Sequence, residues 1–256
     1  MKRIRVIPLL LIRKGGLVKS IKFKDHKYVG DPINAVKIFN EKEVDEIVVL
    51  DISATADKRP PDLRQIKEIA SEAFMPMGYG GGITRLDEIK EMITAGVEKV
   101  VINTAAFHTP QLITDGAKYV GSQSIVVSID VKKNIWGKYK VHVRNGSENT
   151  NLDPVEYAKK MESAGAGELL LNSIDRDGTF TGFDLELIKK VSSEVNIPVV
   201  AIGGAASVND FSKAIEYGAS AVSAGSMFVF QQPHRAVLIS YPDQNELIEK
   251  IFKFIQ

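Results

Sequence analysis

A chain of 256 residues, 44% hydrophobic and 25% charged, has the balance of a globular domain with a sizeable core, and α/β barrels commonly fill this length as one domain; residues 1–256 are expected to form a single domain. The 33 Lys and Arg nearly cancel the 32 Asp and Glu, which excludes a global field that would draw the chain to nucleic acid or an anionic membrane, and the absence of cysteine excludes disulfides and thiolate metal sites. No run of about 18 apolar residues is present to span a membrane, and the opening MKRIRVIPLLLIRKGG reads as a strand rather than a signal because arginine interrupts its apolar stretch, so the expected location is cytoplasmic.

In chain order, β-rich runs alternate with amphipathic helical patterns. Ile4–Ile12 is followed by a helical pattern at 33–42, Glu46–Asp51 by one at 60–73, Met75–Gly80 by 84–95, and Lys99–Asn103 by 109–118. Ser124–Asp130 precedes a pattern at 153–164, Glu168–Ser173 one at 184–194, Ile197–Gly203 one at 207–217, and Ala219–Ala224 one at 243–255. Strict alternation of this kind implies a parallel sheet with helical crossovers. The stretch from Val131 to Asn151 breaks the rhythm: KYKVHVR alternates and Asn145-Gly146 is a turn dipeptide, which predicts a small β-hairpin inserted after strand five. Trp136 falls in that insert, where an aromatic can anchor the hairpin or shield a ligand.

An internal repeat decides between an open sheet and a closed barrel. At an offset of 122 residues Glu46 falls on Glu168, Asp62-Leu63 on Asp184-Leu185, Ile66-Lys67 on Ile188-Lys189, Gly81-Gly82 on Gly203-Gly204 and Gly96 on Gly218. A four-strand, four-helix unit used twice closes into a (β/α)8 TIM barrel with a pseudo-two-fold axis. Any anion site made by one half is then expected opposite in the other. Gly81 and Gly82 after strand three, with Asn103 and Thr104 after strand four, form the first candidate phosphate site, because glycine allows close backbone approach and the following turns offer free N–H groups. Gly203, Gly204, Gly225 and Ser226 form the second, with Asp177 and Gly178 after strand six. His26, His108, His142 and His234 lack ligand spacing, so no metal and no cofactor is expected.

The block LLLNSIDRDGTFTGFD, together with GYGGGI and VVINTAA, carries a family resemblance: from Lys2 to about Phe228 the chain resembles HisF, the cyclase subunit of imidazole glycerol phosphate synthase. The resemblance implies a barrel that receives ammonia at its floor from a HisH-like glutaminase and uses it at its mouth on a bis-phosphorylated ribulosyl intermediate, a phosphorylated small molecule. It implies that Arg5, Glu46, Lys99 and Glu168 form the charged ammonia gate, and that Glu98 stands where the family has an aspartate that contacts the glutaminase. Two acids and two bases around a barrel floor can neutralise one another, and unpaired charges there would be costly.

At the mouth the resemblance is incomplete. The family uses two aspartates as acid and base, and this chain keeps the strand-five one as Asp130 but has Leu11 at the end of strand one, in a stretch with leucine at 9, 10 and 11. A positioned acid or base is worth about 10² to 10⁴ in rate and leucine transfers no proton, so cyclase activity is expected to be severely reduced. Lys19, in the loop after strand one, matches the family's loop lysine and is a candidate catalytic or phosphate-clamping residue beside Asp130. The late segment HRAVLISYP resembles second-copy HisF-like proteins of bacterial surface-polysaccharide clusters. That resemblance implies delivery of ammonia to an ATP-dependent ligase that makes an acetamidino sugar. The competing readings are a working cyclase of histidine biosynthesis and, more remotely, a phosphosugar isomerase or a non-catalytic binding subunit.

Overall fold

The computed structural model describes residues 4–251; Lys2, where the resemblance begins, and positions 252–255 of the last predicted helix lie outside them. Eight parallel strands follow one another around a closed barrel: β1 (Arg5–Arg13), β2 (Ile47–Asp51), β3 (Met77–Gly80), β4 (Lys99–Ile102), β5 (Ile125–Lys133), β6 (Glu168–Ser173), β7 (Val199–Ile202) and β8 (Ala221–Ala224). Neighbours in sequence are neighbours in space, β4 and β5 included, and β8 closes on β1 with Arg5 opposite Ala221. The fold is the expected (β/α)8 barrel.

Alternation along each strand sorts side chains into two layers. Ile7, Leu9, Val48, Val101, Val126, Leu170, Val200, Ile202 and Ala221, with Leu11 and Leu50 against them, fill the inside. Val6, Leu10, Val49, Ile125 and Leu169 face outward and pack under the helices. Among the described residues the helices are Pro32–Glu41, Leu63–Ala70, Leu86–Thr94, Thr104–His108, Gln111–Val120, Pro154–Ala164, Leu185–Ser192, Val208–Glu216, Ser226–Val229 and Gln244–Lys250, and none is long and apolar enough to cross a membrane. Several start on an aspartate whose carboxylate accepts the free amides of the first turn, as Asp62 does from Arg64 and Gln65 and Asp184 from Leu187, a cap worth about 1 kcal/mol. Three strands begin two residues later than expected, at Met77, Val199 and Ala221; Pro76 and Pro198, just before the first two, lack an N–H for the ladder, and each instead lends its carbonyl to the adjacent strand, to Ile47 N and Leu169 N.

The repeat extends to backbone geometry. Asp62 (φ −81°, ψ 90°) and Asp184 (φ −81°, ψ 85°) are matching caps, and Gly81, Gly82, Gly203 and Gly204 all have positive φ. Glu88 accepts from the amides of Thr84 and Arg85 as Asp210, at the same offset, accepts from those of Ala206 and Ser207.

Two ribbons decorate the mouth. The expected hairpin is there: β5 runs past the barrel, turns at Asn134–Gly137 and returns as Tyr139–Val143, and the Asn145-Gly146 turn then leads to Glu148–Asn149. Trp136 is 77% exposed and anchors nothing; Tyr139, whose hydroxyl donates to Asp184 at 2.7 Å, holds the hairpin down. The second ribbon stands where a loop was expected after strand one. Gly16–Ile21 pairs back on β1 and on Lys24–Gly30, so Lys19 lies in a hydrogen-bonded strand, and this ribbon forms a lid over one side of the mouth.

Candidate functional site

The floor of the barrel holds the four charges singled out in the sequence. Each stands at or just before the start of its strand, where the inward-facing position meets the barrel axis, and together they close an alternating ring. Arg5 pairs with Glu46 and, at 2.9 Å, with Glu168; Lys99 pairs with Glu46 at 2.8 Å and with Glu168 at 3.0 Å. Both carboxylates are buried while Arg5 and Lys99 keep partial access to water, so the ring plugs the floor with no net charge. Burial works against the Arg5 charge, but Glu168 and Glu46 more than offset it and hold its pKa above the usual range. Glu98, beside the ring, is exposed and accepts from the Met77 amide at 2.6 Å.

Above the ring the barrel axis is lined mainly by apolar side chains, with the buried Ser128 and Ser223 in register among them, up to the mouth, which opens into a cavity of about 690 Å³. Gly81, Gly82, Asn103 and Thr104 gather on one side of it. Gly81 must be glycine: its φ is +124°, and a Cβ there would sit 2.3 Å from the Asp51 carbonyl oxygen. Gly81→Ala is therefore expected to destabilise the fold by about 2 kcal/mol or more, measured by urea unfolding; a change below about 0.5 kcal/mol would contradict the close approach described. The sequence reading missed Asp51 and Arg59 here. Asp51 is buried, accepts from Ser53 and Ala54 amides at 2.9 and 3.1 Å, and pairs with Arg59 at 3.0 Å; its position as the last residue of β2 was the available signal.

Asp130 lines the cavity and is buried, with the Asn103 side-chain amide donating to it at 3.2 Å and Asn172 as a second hydrogen-bond partner. Asn172 was also overlooked as a site residue, although it stands inside the block that carried the resemblance. Burial, with Asp177 adding repulsion, pushes the Asp130 carboxyl up to about 7 against the help of both asparagines. Leu11, on the strand diametrically opposite, packs on the inner apolar layer and lines the same cavity.

A carboxyl whose folded pKa is raised favours the folded state while protonated in both states, and that contribution is lost as pH rises from the unfolded value near 4 through the folded value near 7. Removing the titration should reverse this. Asp130→Asn is expected to leave stability little changed at pH 4 and to raise it at pH 8, by at most about 4 kcal/mol for three pKa units. A difference that stays constant across that range in chemical denaturation would show that Asp130 does not titrate as described.

The second-half residues gather on the other side of the mouth. Gly203, Gly204, Gly225, Ser226 and Gly178 surround a pocket of only about 30 Å³, and Lys19 lies against it. Asp177 accepts from the Ser20 hydroxyl at 3.0 Å and lies 3.4 Å from the Phe23 amide. Burial raises the Asp177 pKa, opposed by those hydrogen bonds and by Lys19 and Arg235. Candidate residues from both halves thus converge on one mouth, and the four charged residues of the ring converge at the opposite end.

Comparison with known proteins places this geometry in a family. The model of a family described as histidine biosynthesis protein matches residues 5–233. A protein of Pseudomonas aeruginosa, provisionally named imidazole glycerol phosphate synthase subunit hisF2, is 52% identical over 248 residues, 96% of this chain and 99% of the relative. A protein of Leptospira interrogans, provisionally named as the HisF subunit of the same synthase, is 47% identical over 94% of this chain and 96% of its own length. The imidazole glycerol phosphate synthase subunit HisF of a Hydrogenobaculum species is 44% identical over 96% of this chain and 98% of its own length.

Proposed function

This chain belongs to the histidine biosynthesis protein family, as a HisF-like subunit of the imidazole glycerol phosphate synthase kind, and on that premise we propose that it is the ammonia conduit of a glutamine-dependent amidotransferase. The reading rests on one contrast: a complete four-charge ring at the floor beneath a mouth in which Asp130 faces Leu11 instead of a second carboxylate. A HisH-like glutaminase docks at the floor beside Glu98 and releases ammonia at the gate of Arg5, Glu46, Lys99 and Glu168. The apolar axis suits neutral ammonia, since an ammonium ion would pay the cost of leaving water without a partner. With no proton shuttle at position 11, ammonia leaves the mouth for a partner, an ATP-dependent ligase that converts an N-acetyl group of a nucleotide-activated sugar to an acetamidino group for surface polysaccharide. Such a complex works in the cytoplasm and needs no cofactor in this subunit.

A second reading, a working cyclase of histidine biosynthesis, is favoured by Asp130, whose raised pKa suits a proton carrier near neutral pH, with Lys19 as the second catalytic candidate and the paired glycine turns for the two phosphates. Complementation separates the two. Expression in a histidine auxotroph that lacks its cyclase subunit but keeps its glutaminase is expected to give no growth without histidine; growth at the rate of an authentic cyclase would favour the second reading.

A further inference from the structure

The two halves build the same pocket and fill it differently. Asn103 (φ −117°, ψ −81°) and Gly225 (φ −110°, ψ −69°) are equivalent positions with nearly the same backbone. In the first half the asparagine side chain turns to Asp130 and the Ser128 carbonyl. In the second half the side chain is missing, and the Lys19 ammonium takes the space: a Cβ on residue 225 would lie 2.5 Å from Lys19 Nζ.

Lys19 is held there from several sides. It is 3% exposed and its ammonium donates to the Leu9 carbonyl. The lid that carries it is fastened to the Asp177 loop by the Lys22 amide, which donates to the Asp177 carbonyl at 3.0 Å, and by Ser20 on the Asp177 carboxylate. Gly178 lets the lid lie flat, since a Cβ there would meet the Ser20 carbonyl oxygen at 2.1 Å. The late segment, which carries the resemblance to second-copy HisF-like proteins, closes the outer side. Arg235 donates to the Gly178 carbonyl at 3.1 Å and lies over the rings of Phe180 and Phe230, 5.3 and 4.8 Å from their centroids.

We propose that Lys19 is the resident occupant of the second-half pocket, so that the barrel mouth accepts a ligand with a single anionic end, seated at Gly81-Gly82 and Asn103-Thr104. This rests on the reading of the duplicated glycine turns as anion sites. The remaining 30 Å³ holds one or two waters, and a second phosphate has to lift the lid and give up its hydrogen bonds. Burial lowers the Lys19 pKa to about 7 against the pull of Asp177, so the ammonium is a weaker lure for an anion than an exposed lysine.

Titration of inorganic phosphate into the 15N-labelled full chain reads both pockets at once through amide shifts. In the natural protein saturating shifts are expected at Gly82, Thr104 and Ala105 and none comparable at Gly204, Ser226 and Met227. Lys19→Ala is expected to add the second set. Gly225→Ala, at a φ that suits any residue, pushes Lys19 out and is expected to speed its acetylation by acetic anhydride by about tenfold or more, the factor that each 1.4 kcal/mol of lost protection gives. Second-half shifts in the natural protein, or none in Lys19→Ala, would overturn the proposal while leaving the anion-site reading in place. Shifts at neither pocket would remove that reading and the proposal with it.

Discussion

Leu11→Asp is expected to raise kcat for the bis-phosphorylated ribulosyl substrate with ammonium salt at least about a hundredfold over the natural chain, the low end of what one positioned acid or base contributes. Leu11 lines the mouth cavity on the strand opposite Asp130, so a carboxylate there restores a pair facing each other across the substrate. Only kcat should respond strongly. KM is expected to stay high, because a second phosphate still meets Lys19 in its pocket. Leu11→Asn is the control: it matches the size and polarity of aspartate but carries no transferable proton, and should stay at the level of the natural chain. Equal kcat in all three proteins above KM would mean that position 11 is not where the chemistry was lost.

Glu46→Ala is expected to lower stability by about 2–4 kcal/mol, somewhat below the 3–5 kcal/mol typical of breaking a fully buried pair because both cations keep some water. For a domain of this size that corresponds to a fall in Tm of roughly 5–15 °C. The cause is specific: removing one carboxylate leaves Arg5 and Lys99 facing each other with only Glu168 between them. The double variant Glu46→Leu/Lys99→Leu removes one charge of each sign and should recover much of the loss, since apolar replacements of buried pairs are often neutral. If the single and double variants are equally destabilised, the loss comes from packing and not from an uncompensated charge. With a glutaminase partner present, Glu46→Ala should also weaken the coupling of glutamine hydrolysis to ammonia delivery.

Much of this molecule is legible in its residues because the barrel is built from local signals. Leucine- and valine-rich runs, aspartate caps and glycines at one repeat offset each report on their own few residues, and the halves check one another. The lid was not legible for the opposite reason. Its turn is made by Lys22 and Phe23 at φ +52° and +62°, where no glycine or asparagine announces it, and its strands carry charges that read as a solvated loop. The burial of Lys19 depends on Gly225 more than 200 positions away, and the raised pKa of Asp130 depends first on its burial as the barrel closes around it and then on Asp177. The helix expected at 109–118 is Gln111–Val120, with Pro110 at its start, and a separate short helix, Thr104–His108, precedes it without a signal of its own.

The claim that the barrel conducts ammonia without consuming it is tested most directly by following the nitrogen. Glutamine labelled with 15N in its side-chain amide is supplied to the natural chain together with a HisH-like glutaminase and the bis-phosphorylated ribulosyl substrate, and the products are read by mass. The label is expected to leave as ammonia, with no labelled imidazole glycerol phosphate formed. Label in the imidazole ring at a rate matching glutamine hydrolysis would contradict it, and would mean that the mouth performs the cyclisation with Leu11 in place.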